Sequence, residues 1–145
     1  MKINLNKILT AFDSARGKEH MQEDNHTEDI INAIDETPFA VSEQNVLFAR
    51  TSELGGYYYV ITIFVGPFKI KTNKGAKLTI EGNNFDLILN SDTDEFESDR
   101  SKVLNKFITR IDFQIEKEDV SKFDKEIIKT LKLSAKKQEV IFNTL

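Results

Sequence analysis

The stretch Tyr57-Tyr58-Tyr59-Val60-Ile61-Thr62-Ile63-Phe64-Val65 constrains the fold of this chain more than any other. It carries no charge, consists mostly of β-branched and aromatic residues, and is apolar at odd and even positions alike. A strand with that pattern has to be covered on both faces. Gly55-Gly56 ahead of it and Gly66-Pro67 behind it each supply a turn or a sharp bend. The stretch is about half of the ~20 residues a helix needs to cross a bilayer. It therefore reads as the central strand of a sheet, and no transmembrane segment is expected.

The neighbouring sequence keeps a period of two. Val46 and Phe48 alternate with Leu47 and Ala49 before the central run. After it, Phe68, Ile70 and Thr72 alternate with Lys69 and Lys71; beyond Asn73-Lys74-Gly75 the mirror pattern sets Ala76, Leu78 and Ile80 against Lys77, Thr79 and Glu81. This predicts a β-hairpin with Gly75 in a left-handed bulge position. Gly82-Asn83-Asn84 turns into Phe85, Leu87 and Leu89, and an acidic tip at 91–99 joins two further strands. Residues 107–115 place Phe107, Ile111, Phe113 and Ile115 on one face and Arg110, Asp112 and Gln114 on the other, as in a half-buried strand. A final hairpin is expected around Ala135-Lys136-Lys137-Gln138.

Helical spacing appears only near the start. Ile3, Leu5, Ile8, Leu9, Phe12 and Ala15 predict an amphipathic helix over about 4–16, ended by Gly17. Residues 18–27 have the composition of a polar linker, and Thr27 can cap a second short helix with Ile30, Ile31 and Ile34 on one face, closed by Pro38. The fold class expected is α+β, mainly β: an antiparallel sheet rolled into a barrel or two-layer roll, preceded by one or two amphipathic helices. In strand count this is similar to a pleckstrin-homology-like roll, although no sequence motif carries a family resemblance. The division is a helix at 1–17, a linker at 18–27 and a single β-rich domain at 28–145.

Composition removes several classes of function. The 145 residues include no Cys, so disulfides, thiolate metal ligands and thiol nucleophiles are excluded. The apolar residues of 1–10 are interrupted by Asn and Lys, which gives no export signal and suggests a cytoplasmic protein. The net charge of −4 is segregated: residues 19–53 carry −8 and 83–99 carry −6, whereas 1–18, 54–82 and 100–145 carry +3, +3 and +4. Overall acidity argues against nucleic-acid binding, which draws on Lys and Arg neutralising phosphates.

Candidate sites are few. His20 and His26 lie among acids, but a linker gives metal ligands no supporting shell, so no metal and no cofactor is expected. The acidic run 91–99 fails as an EF-hand: counted from Asp92, the sixth position is Glu97 where Gly is needed and the twelfth is Val103 where Glu is needed. No nucleophile elbow, phosphate-binding glycine loop or zinc-protease motif occurs. Lys69, Lys71 and Lys77 are expected on one solvent face of the 68–81 hairpin, with Lys74 at its tip, forming a patch for a phosphate or an acidic partner. The tyrosine triplet should also present a ring outward, and Tyr58 is taken as its binding member.

These features favour a non-catalytic binding or adaptor domain that recognises an unidentified protein partner through exposed hairpins. The 4–16 helix either docks on the body or builds a homodimer. The alternative is a barrel sheltering a small apolar ligand or lipid headgroup with the four lysines at its mouth. A small hydrolase is the weaker third reading.

Overall fold

The structure, a computed structural model, describes residues 26–102 and 104–145. The expected 4–16 helix, most of the linker with His20, and the dimer contact assigned to that helix lie outside the described residues. The first described element is helix α1 (His26–Ala33), and Thr27, expected as its cap, lies within it. Eleven strands follow: β1 (Ala40–Val41), β2 (Val46–Leu54), β3 (Tyr57–Gly66), β4 (Lys71–Thr72), β5 (Ala76–Gly82), β6 (Phe85–Asn90), β7 (Phe96–Glu97), β8 (Asp99–Ser101), β9 (Lys106–Ile115), β10 (Ile128–Ala135) and β11 (Gln138–Thr144). A 3-10 helix at Lys117–Lys122 separates β9 from β10.

Nine strands form one antiparallel sheet in the order β6-β5-β10-β11-β1-β2-β3-β9-β8. The sheet curls into a half-barrel, and its two sides approach where Ser91 bridges to Phe113 and the Asp92 amide donates to the Asp112 carbonyl at 2.7 Å. The fold is therefore mainly β with a short helix on its N-terminal side, as the period-two reading implies.

β3 lies between β2 and β9, and the reason for its two apolar faces is visible. Val60 and Phe64 point into the barrel, where they join Leu47, Leu78, Ile80, Phe113, Leu131 and Phe142 in the main core. Ile63 and Val65 point outward and meet α1: Ile30 and Ile34, both wholly buried, pack with them against Val46, Phe48 and Ile108 in a second cluster. Each Ile side chain removed from water contributes roughly 1.5–3 kcal/mol. An eight-residue helix is marginal alone, so this docking holds it in place.

Turn chemistry fixes the hairpins. Leu54 pairs with Tyr57 across Gly55-Gly56, and both glycines have positive φ (61° and 85°), the requirement of a tight two-residue turn that matches strand twist. The expected C-terminal hairpin is present, with Ala135 opposite Gln138 around Lys136-Lys137. Beyond β9, Val120 and Phe123 lean on the core, and Phe123 stacks on Phe39 at 4.7 Å.

One local expectation is corrected. The segment around 68–72 does not pair with 76–81; β4 is only Lys71–Thr72 and pairs with β7, whereas β5 lies between β10 and β6. The hydroxyl of Thr72 accepts from the Lys74 amide and donates to the Gly75 carbonyl, which turns the chain out of the ladder. Ile70 is meanwhile held by Ser98, whose hydroxyl accepts from the Ile70 amide at 2.7 Å. Ala76, Leu78 and Ile80 are buried in the main core, where Leu78 and Ile80 pair with Leu133 and Leu131 on one side and with Leu89 and Leu87 on the other.

Candidate functional site

The corrected pairing splits the four lysines. Lys69 and Lys71 stand on the small β4-β7 ribbon opposite Glu97. The Lys69 ammonium lies 2.9 Å from the Glu97 carboxylate, and Lys71 is its register partner. The Lys69 hydrogen bond, then the charges of Lys69 and Lys71, hold the Glu97 carboxyl below the usual carboxylate range. Lys69 is therefore paired, while Lys71 shares that single carboxylate from across the ribbon.

Lys74 and Lys77 instead border a recess of about 370 Å³ at one end of the barrel. Three connections build it. The β4-β5 loop brings Lys74 and Gly75, the start of the β6-β7 loop brings Ser91 and Asp94, and the β10-β11 turn brings Lys136 behind Ser134. Strand register causes the convergence, because Ala135 is opposite Ala76 and so the residues just past each strand end become neighbours. Ser91 locks the corner: its hydroxyl accepts from the Ala76 amide at 2.9 Å and donates to the Thr93 carbonyl at 2.8 Å. Gly75 sits at φ 82°, and a Cβ there would come within 3.0 Å of the Ser91 hydroxyl. Lys77 Nζ donates to the Asn90 side-chain carbonyl at 3.0 Å, which keeps its charge at the rim. Among the described residues no carboxylate lies within ion-pair distance of Lys74, Lys77 or Lys136.

Lys136 is a member that sequence reasoning missed. It was legible only as a turn residue, although its φ of 53° is an uncommon conformation for a side chain of its size. Only the distant pairing of β10 with β5 places it beside Lys74.

The tyrosines occupy the first positions of β3. Tyr58 is half-buried and packs on the main core, while lining a second recess of about 440 Å³ with Tyr57, Tyr59, Gln114 and Lys117. The outward ring is Tyr57, 70% exposed, and its cross-strand partner Leu54 is 73% exposed. The two form an apolar pair at the tip of a hairpin.

Among the described residues no group of three or more His, Asp or Glu side chains could hold a metal ion, and no helix is long and apolar enough to cross a membrane. Comparison with protein-family models, with curated proteins and with solved structures finds no match in any of the three.

Proposed function

We propose that this chain is a non-catalytic binding domain that recognises a protein partner through its exposed hairpins. The observation that carries this reading is the Leu54–Tyr57 pair. The two lie side by side as the most exposed large apolar side chains among the described residues, and Tyr is enriched at the centres of interfaces. The turn beneath them is tight, so little ordering entropy is lost on docking.

The interior supports this over a ligand-holding barrel. Phe64 and Phe142 meet at 5.5 Å across the core, and Phe113, Leu78, Ile80 and Leu131 fill the space around them. The two described recesses open at the surface, and neither has the Phe and Ile lining that an apolar ligand needs.

The test is a pull-down from the native cell with mass spectrometry, comparing wild type with the Leu54→Ser/Tyr57→Ser variant. Both positions are exposed, so stability should change by no more than about 0.5 kcal/mol per site. The wild type is expected to recover a defined partner that the variant loses. Identical recoveries from the two proteins would defeat the reading.

A further inference from the structure

The recess between the β4-β5, β6-β7 and β10-β11 connections carries a net positive charge. Beside it, Lys69 pairs with Glu97 and Lys132 with Glu139, and Asp92 accepts a hydrogen bond from the neutral Gln114 amide. Inside the recess, Lys74, Lys77 and Lys136 face a single carboxylate, Asp94, so the lining carries a net charge of +2. It also offers neutral hydrogen-bonding groups in Asn90, Ser91 and Ser134. A phosphate monoester carries about −1.5 to −2 at pH 7 and presents three acceptor oxygens. Charge and donor supply therefore match that group, whereas a carboxylate would leave half of the positive charge unmatched.

We propose that this recess binds the phosphoryl group of a phosphorylated side chain on the partner protein, an assignment that rests on the protein-recognition reading above. A volume of about 370 Å³ accommodates the phosphoryl group together with the side chain that bears it. An anionic bilayer is a poorer fit. The loop beside the recess also carries Asp92 and Glu95 outside its lining, which would face an extended negative surface but not a single ester held in the recess.

The left-handed Lys136 belongs to the same picture. A Gly or Asn would suit its backbone better, and the conformation aims the turn at the recess corner.

The direct test titrates ¹⁵N-labelled full-length protein with inorganic phosphate, with the tripeptide acetyl-Gly-phosphoserine-Gly-amide, and with its unphosphorylated form. Saturable amide shifts are expected at Gly75, Ser91, Ser134 and Lys136 with the two phosphorylated probes only. Lys74→Gln/Lys136→Gln should weaken binding about tenfold through the loss of two charge-assisted contacts. Asp94→Asn should tighten it severalfold, and Lys129→Gln, on an exposed stretch of β10, should leave it unchanged. Non-saturating shifts, equal losses in Lys129→Gln, or no gain in Asp94→Asn would each overturn the assignment. So would sedimentation with phosphatidylcholine vesicles containing phosphatidylinositol 4,5-bisphosphate without any response to the phosphopeptide, which would place a lipid headgroup in the recess instead. Phosphatase treatment of the lysate separates this inference from the reading beneath it. A partner lost after treatment supports the phosphoryl site. A partner still captured after treatment, yet lost in Leu54→Ser/Tyr57→Ser, overturns the phosphoryl site and leaves protein recognition standing.

Discussion

Ile34→Ala should be among the most damaging single substitutions on the outer face of the sheet. Ile34 is wholly buried at the end of α1, where it packs with Ile30 against Val46, Phe48, Ile63, Val65 and Ile108. Truncating a buried Ile to Ala costs roughly 2–5 kcal/mol, the spread reflecting how far the site collapses. Collapse is limited here because β2 and β3 beneath the helix are held in a continuous ladder from Val46–Val65 to Leu54–Tyr57. A figure near 3 kcal/mol is therefore expected, with a fall in melting temperature of roughly 5–15 °C for a chain of this size. Urea unfolding monitored by circular dichroism measures the first quantity and calorimetry the second. The neighbours provide internal controls. Ile30→Ala should match Ile34→Ala, Ile31→Ala should cost less because Ile31 is only half-buried, and exposed Asn32→Ala should be neutral or slightly stabilising on helix propensity. Native-state hydrogen exchange should show that Ile34→Ala opens α1 before the sheet, because the main core inside the barrel is untouched. A loss below about 1 kcal/mol, or equal effects at Ile34 and Asn32, would refute the claim that β3 is double-faced because α1 covers it.

Two further perturbations probe the turn and the rim. Gly82→Ala would place a methyl inside the space of the Phe85 ring and 2.6 Å from the Ile127 carbonyl oxygen, so it should cost about 1–3 kcal/mol by overpacking, read from urea midpoints, and less in a Phe85→Ala background. The lowered folded-state pKa of Glu97 means that its interaction with Lys69 stabilises the fold above the ordinary carboxyl range and disappears as pH falls through the folded value. Carboxyl NMR should therefore show the Glu97 midpoint rising in Lys69→Met, and an unchanged midpoint would remove the Lys69 contact as its cause.

The main features of the fold were readable because burial leaves a direct trace in a sequence of this kind. Tyr57 to Val65 announced a central strand, and the 107–115 alternation gave the inward set Ile111, Phe113 and Ile115. What the alternation does not encode is the partner of each strand. The 68–72 and 76–81 segments both have period two and a short loop between them, yet the apolar faces of β5 are satisfied by β6 and β10, the latter some fifty residues away. Local pattern states which side chains face the core, and total buried area decides who lies alongside. The tyrosine triplet shows the same limit. With every position of the run apolar, parity was ambiguous, and only the register through Val60 and Phe64 turns Tyr58 inward and Tyr57 outward.

Charge followed a related course. The sequence shows a basic block at 54–82 beside an acidic one at 83–99, which suggests a patch of each sign. Folding interleaves them instead: β4 pairs with β7, so Lys69 pairs with Glu97 and Lys71 lies opposite it. The recess gains its excess positive charge because a third segment, the β10-β11 turn, adds Lys136 to Lys74 and Lys77. The same logic places the proposed binding groups on turns. The strands are committed to the interior core and, on the α1 side, to a covered exterior, whereas the hairpin ends hold side chains on tight turns and leave them free to meet a partner.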